Sequence, residues 1–343
     1  MTKTPKMNGF VQFLKRARAG QQFSLVITLV LVFIFMSVAN GRKFLSFYNV
    51  AAMAYQLPVI GLLAIGMMIS ELSGGINLSI IANANLNGIV IYLVLDLLTG
   101  GKMAEASLPS TAAAVIAGLL ASVTIGLFNG LMITKLSIPA ILATLGSMTL
   151  LQGVNLVLTR GYTISGFPSR LIFIGNGSVA GIPAPIILFA VVIVITHFIL
   201  NRSSFGLKLY MTGANPRASK FSSVDVTNII ILEYILSACF ASLTSLVMIG
   251  QMNSVKANYA ESYLLVAVLA SFLGGVNPNG GFGKLSGMVL AVVILQLIST
   301  GLNLMRLDPF MITAMWGAII IIILVVREAA GFIIGKINRQ KAL

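Results

Sequence analysis

The chain has 343 residues, of which 58% are hydrophobic and only 9% charged. Soluble domains carry roughly 25% charged residues, so this composition excludes a water-soluble fold and specifies an all-α polytopic membrane protein. The net charge of +14 would point to nucleic acid in a soluble protein; in a membrane protein Lys and Arg gather in cytoplasmic loops beside anionic lipid head groups, so membrane lipid is the expected partner and nucleic acid is not.

The N-terminus is basic (Lys3, Lys6, Lys15, Arg16, Arg18) and runs into an apolar stretch without a clean small-residue cleavage site, which predicts a retained first span rather than a removed signal peptide. A helix needs about 20 mostly apolar residues to cross the hydrocarbon core. Runs of suitable length occur near 22–39, 49–70, 77–99, 110–134, 139–158, 182–200, 226–250, 261–274, 284–304 and 311–334. These predict about ten transmembrane helices, with the run at 261–274 conspicuously short. If the N-terminus is cytoplasmic, about two-thirds of the 22 Lys and Arg residues fall on the inside, as the positive-inside rule requires. Both termini are then cytoplasmic. The expected organisation is a basic N-terminal segment (1–21), a transmembrane domain (22–334) with a long cytoplasmic loop at 201–225, and a short tail (335–343). Cys239 is the single cysteine, so no disulfide within the chain and no cysteine-based metal cluster is possible. Nothing matches a GxxxxGK[ST] phosphate loop, and no catalytic residue, cofactor or metal site is expected.

Three polar interruptions carry the functional signal. The first is Ser70–Ile81, "SELSGGINLSII", which places Glu71, Gly74, Gly75, Asn77 and Ser79 between two apolar runs. The second repeats it: "FLGGVNPNGG" has Gly274, Gly275 and an asparagine at nearly the same spacing, about 200 residues later. Internal repeats with interrupted segments at matching positions mark the pathway in many transporters; two related halves and a chance recurrence of Gly-Gly both remain open. The third is the 201–225 loop, where Asn215-Pro216 is an N-cap followed by a residue suited to the first helical position, predicting a short basic helix from Arg217 towards Ser222. Such a helix lies on lipid head groups or docks into a partner; the residues alone do not choose.

Further candidates lie within the spans. Asn83 and Asn87 share a helical face while Asn85 points elsewhere; the amides bond a polar solute in a cavity or bind neighbouring helices. Asn129, Gln152 and Asn155 are similar. Glu71, Asp96, Glu233 and Glu261 are carboxylates in or beside apolar runs, which are costly and therefore functional candidates; Asp96 and Glu261 fall near span ends, where a solvated head is expected.

The motifs resemble those of the ribose/simple-sugar permease family, the branched-chain-type membrane subunits of binding-protein-dependent bacterial ABC importers. The family's "T-G-G-I-D-L-S" is seen as Ser73-Gly74-Gly75-Ile76-Asn77-Leu78-Ser79 and its "I-P-A-F-I-A-T-L-G" as Ile138 to Gly146. Its "G-x-N-x-x-A-A-x-x-S-G-I" appears as Gly213, Asn215, Ala218 and Ser222, and its "L-G-G-x-x-x-x-G-G-x-G" as Leu273-Gly274-Gly275 with Gly280, Gly281 and Gly283. The resemblance covers about residues 45–330. It implies a permease subunit translocating a simple sugar or related polar solute by alternating access, in the inner membrane. ATP hydrolysis would reside in a separate ABC subunit, so the chain itself is not an enzyme. It also implies a periplasmic or lipid-anchored solute-binding protein and a second permease copy, in a homodimer or a paralogous heterodimer. Gly213, Asn215, Arg217, Ala218, Ser219 and Ser222 would then form the coupling helix that seats in the ATPase. Glu71, Gly74, Gly75, Asn77, Ser79, Asn83, Asn87, Gly274 and Gly275 would belong to the pathway or its gate. The family has Asp where this chain has Asn77, which implies a structural rather than ionic role there. An ion-coupled secondary transporter of a small polar solute is the competing reading; it calls for mid-span carboxylates and no coupling loop.

Overall fold

A computed structural model describes residues 21–308, 310–322 and 325; the basic segment 1–20 and the tail 335–343 of the expected organisation lie outside the described residues. The described chain is a helical bundle. Eight helices are long and apolar enough to span a membrane: α1 (Gln21–Asn40), α2 (Phe47–Leu72), α3 (Ile80–Thr99), α4 (Leu108–Thr134), α5 (Ala140–Thr159), α7 (Ala184–Arg202), α10 (Val226–Met252) and α12 (Leu285–Leu304). Two shorter apolar helices, α11 (Tyr263–Leu273) and α13 (Phe310–Ile322), occupy the other two expected spans. Short helices α6 (Ser169–Asn176), α8 (Ser204–Ala214) and α9 (Pro216–Phe221) lie in the connections. Four two-residue strands form two small antiparallel pairs: β1 (Ile164–Ser165) with β4 (Ser254–Val255), and β2 (Ser178–Val179) with β3 (Ile182–Pro183).

Five helices begin where short polar side chains replace lost backbone partners. Ser46, Ser107, Ser203, Asn215 and Asp225 each accept a hydrogen bond from the amide three residues on, as N-cap chemistry requires. The apolar runs between these caps have no polar face, so burial cannot be assigned from pattern. It is set by packing: 67% of the apolar stretch of α2, α3 and α12 is buried, against 28% for α4, α5 and α7 and 11% for α1. The core is therefore α2, α3, α10, α11 and α12, with Trp316 of α13 also packed into it.

Between apolar helices in lipid the hydrophobic effect drives nothing, and association rests on close contact of small residues. One face of α4 shows how this is met. Ala114, Gly118, Ser122, Gly126 and Gly130 follow one another at four-residue spacing and are buried. A Cβ on Gly126 would stand 2.5 Å from the Tyr234 carbonyl and one on Gly130 2.8 Å from the Ile231 Cα, so α10 lies backbone-to-backbone on this stripe. The connections gather the functional segments at one end of the bundle. The 73–79 turn, the Lys135–Pro139 turn, α8–α9 and the 274–284 turn share that end. The two β-pairs, α6 and the 253–262 segment share the opposite one.

Candidate functional site

The two Gly-Gly turns have the same backbone chemistry. α2 ends with the Gly75 amide bonded to the Ser70 carbonyl and the Gly74 amide bonded to that of Glu71, both at 3.0 Å. α11 ends with the Val276 amide bonded to Ser271 at 2.9 Å and the Gly275 amide bonded to Phe272 at 3.2 Å. Each is a Schellman ending, whose left-handed residue favours glycine: Gly74 has φ +89° and Gly275 φ +82°. Three residues past Gly74 and two past Gly275, Asn77 and Asn277 each accept the amide two positions on, from Ser79 and Asn279, at 3.2 Å. The sequence echo is thus a repeated helix end followed by a repeated Asx-turn, with the turn glycine displaced by one position. The outer glycine of each pair supplies room instead. A Cβ on Gly75 would meet the Tyr234 hydroxyl at 2.6 Å, and one on Gly274 the Met288 backbone at 2.8 Å.

These two turns touch one another and the loop above them. The Gly281 amide donates to the Leu72 carbonyl at 2.8 Å. Gly213, at the end of α8, lies against that same pair of groups: a Cβ there would collide with the Leu72 carbonyl and stand 2.5 Å from the Gly281 nitrogen. Gly280 faces Gly74 and Gly213, and Gly281 faces the Ala214 Cα at 2.7 Å. Three backbone segments therefore interlock with no side chains between them. Tyr210 adds a hydrogen bond from its hydroxyl to the Gly283 carbonyl, 2.8 Å, and burial there pushes the phenol's pKa up.

From this junction α9 projects outward. Asn215 Oδ1 accepts from the Ala218 amide at 3.0 Å, and Pro216 occupies the first helical position, as the sequence indicates. Gly213 and Ser219 face inward, while Asn215, Arg217, Ala218 and Ser222 face solvent. Phe221, which nothing in the sequence pattern singles out, is 92% exposed at the helix end. An apolar ring held out beside Arg217 and Lys220 has the character of a docking residue. α8 is a second element the sequence reading did not separate from the loop.

Beneath the junction lies a chain of buried polar side chains. Ser147 on α5 donates to Asn129 Oδ1 on α4. Asn129 Nδ2 donates to Ser79 Oγ at 2.9 Å, and Ser79 Oγ to Asn77 Oδ1 at 2.8 Å. Asn77 Nδ2 donates to Ser237 Oγ on α10 at 2.9 Å, and Ser237 Oγ to the Gly66 carbonyl at 2.9 Å. Every donor points the same way along the chain, and the last acceptor is backbone. Asn77 occupies a position that must both accept and donate, which an amide does and a carboxylate does not. Ser79 serves this chain and makes no side-chain cap on α3; the turn amide is taken by Asn77 instead. Beside it, Ser73 donates to Glu233, fully buried on α10, and Thr144 of α5 donates to the Ile76 carbonyl at 2.8 Å. Glu71 is also fully buried, in the last turn of α2.

Asn83 and Asn87 stand apart from the junction. Asn83 Nδ2 donates to the Ser122 carbonyl at 3.2 Å and Asn87 Nδ2 to Ser242 Oγ at 2.8 Å; both side chains are buried between helices. Asn155 likewise donates to the Ala82 carbonyl. Asn85 is the one of the alternating amides that borders open space. Among the described residues no group of three His, Cys, Asp or Glu could hold a metal.

The comparisons with known proteins agree with this architecture. A family profile described as "Branched-chain amino acid transport system / permease component" matches residues 49–326. The chain is 31% identical over 304 residues to the ribose import permease protein of Bacillus subtilis, covering 88% of this chain and 91% of the relative. It is 29% identical to the autoinducer 2 import system permease protein of an Enterobacter species, covering 89% and 92%. To the L-arabinose transport system permease protein of Escherichia coli it is 27% identical, covering 85% and 86%. No solved structure matches it. The relatives are transport permease subunits rather than enzymes, and they favour an ABC importer over an ion-coupled secondary transporter. The chain belongs to the permease family of binding-protein-dependent ABC sugar importers, as a multi-pass inner-membrane protein.

Proposed function

We propose that this permease is one half of a dimeric channel that admits a simple sugar or related polar solute, driven by a separate ATP-binding subunit that docks on α9. The end carrying α8–α9 is then cytoplasmic, in line with the Lys and Arg bias, and an external solute-binding protein delivers to the opposite end. The observation that carries the reading is the rigid seating of α9. A capped helix whose root, Gly213, is locked against both Gly-Gly turns passes a displacement to α2, α11 and α12 rather than absorbing it. Alternating access requires such a link between the nucleotide-driven subunit and a two-state membrane domain.

The single chain also leaves a face for a second copy. On α5, Leu142, Leu150 and Val157 are exposed, and Gly146 and Gly153, two turns apart among them, have nothing within 4 Å of where a Cβ would stand. Close approach of another helix suits such a face.

Co-purification tests the reading. Co-expressed with a candidate ATP-binding subunit encoded beside it, the wild-type chain retains that subunit through detergent purification, and Arg217→Glu combined with Phe221→Ala releases it while the permease still elutes as a folded species. Equal retention by both, or no retention by the wild type, overturns the proposal.

A further inference from the structure

The short span at α11 has a physical explanation that points to a second site. Eleven residues rise about 16 Å, roughly half of a ~30 Å hydrocarbon core. The other half is made up by the irregular segment before it. β4 pairs with β1 at the end opposite the coupling helix, and from there the chain descends into the bundle. Asn85, only about one and a half turns from the coupling-end start of α3, donates through Nδ2 to the carbonyls of Ala257 and Tyr259, at 3.2 and 3.1 Å. Non-helical backbone therefore lies at membrane depth, where it is tolerated only if enclosed by protein or lining a water-filled cavity.

Here it lines a cavity. A groove of about 530 Å³ is walled by Gln152, Lys256, Ala257, Asn258 and Glu261. It narrows into a pocket of about 130 Å³ walled by Asn85, Gln152, Glu261, Met148 and Leu264. Gln152 and Glu261 belong to both and form the neck, with Gln152 Nε2 3.4 Å from Glu261 Oε1. The groove falls within the roughly 300–1,000 Å³ of small-molecule sites, whereas the inner pocket has room for about four waters at ~30 Å³ each.

We propose that this groove is a solute station in the membrane domain, taking a small neutral polyhydroxylated molecule with its leading edge at the Gln152–Glu261 neck; the proposal rests on the transport reading above. The residue types fit that ligand. Both hydrogens of the Asn85 amide are held by the loop, and its oxygen has no hydrogen bond among the described residues, so it offers an acceptor. The Glu261 carboxylate accepts hydroxyl donors, the Lys256 ammonium on the groove wall donates to hydroxyl oxygens, and the Gln152 amide can do either task. One charge of each sign leaves the groove without a net charge, as a neutral ligand requires. Met148 and Leu264 supply an apolar floor for the C–H face of a ring. A helix break at membrane depth is where transporters place their solutes. In sequence Glu261 reads as a solvated residue at a span end; the irregular descent of the 253–262 segment is what carries it to the groove.

Cysteine accessibility tests this in membranes holding the assembled importer. In a Cys239→Ala parent, Gln152→Cys and Glu261→Cys react with a membrane-impermeant maleimide applied from the side opposite the coupling helix. They do so at least tenfold faster than Val194→Cys, whose exposed side chain lies on α7 outside the groove. Of ribose, arabinose and ribitol at millimolar concentration, at least one slows both reactions threefold or more, and ribose 5-phosphate does not. No labelling at either position overturns the groove. Labelling unaffected by all three neutral probes, or slowed equally by the phosphate, overturns the solute assignment. Failure of the transport reading registers separately, as absence of ATP-driven uptake in the Cys239→Ala parent with its partner subunits present.

Discussion

At the scale of single residues, the hydrogen-bond chain through Asn77 explains why an amide suits this buried turn. Ser237 spends its hydroxyl hydrogen on the Gly66 carbonyl, so it can only accept from residue 77. Asn77→Asp sets a carboxylate oxygen against that hydroxyl oxygen or forces Ser237 to abandon Gly66, in a place that is 2% exposed. Leaving a buried polar group unsatisfied costs about 1–3 kcal/mol, more if it is charged. The Asn77→Asp protein is therefore expected to melt several degrees lower in detergent, and Asn77→Asp with Ser237→Ala to recover part of the loss. If the single variant melts with the wild type, the directional chain is not contributing. The glycines, Asn77 and Ser79 stood out in the sequence as polar or flexible residues in apolar surroundings. Of their partners only Asn129 stood out as well; Ser237 and Ser147 did not, because a lone serine in an apolar run has no distinguishing pattern, and the three lie on three different helices.

At the scale of elements, α9 and the outward face of α5 invite different tests. α9 has six residues, too few to hold a helix without help, so its cap matters. Asn215→Ala removes the bond to the Ala218 amide at a cost of about 1 kcal/mol. The exposed helix frays while the buried bundle does not, so ATP-driven transport falls severalfold with the permease's melting temperature unchanged, and Asn215→Ser restores most of it. Equal losses in melting and transport would assign Asn215 to the fold alone. On α5, Gly146→Leu with Gly153→Leu adds bulk where the single chain has open space. The monomer's stability is expected to hold and the dimer fraction to fall, as measured by light scattering or cross-linking. An unchanged dimer places the second copy elsewhere. Ten apolar runs were legible from length alone; eight of them are helices long enough to span a membrane, and α11 was legible only as a short run. That it is half a helix with an irregular partner depends on where the 253–262 segment goes, and no local pattern encodes that.

At the scale of the whole molecule, the two ends of the bundle do different things. One end is a backbone interlock of three turns under a docking helix, and the opposite end opens into a groove reaching past mid-depth. The buried chain from Ser147 to Gly66 ties α5 and α4, through the Asn77 turn, to α10 and α2, and Gln152 lies little more than one turn from Ser147 along α5. A shift of the interlock thus bears directly on a helix that walls the groove. The sequence by itself determined the membrane class, the apolar stretches that become the helices, and the capped short helix α9. These follow from composition, apolar length and local backbone preference, each confined to a few neighbouring residues. Only the tertiary structure decided which apolar helices are enclosed, that Gly74, Gly213 and Gly281 meet, and that Glu261, exposed as its place near a span end suggests, borders a groove with Gln152. Helices apolar on every side carry no mark of their neighbours, and contacts between residues 70 to 200 positions apart arise only when the chain packs.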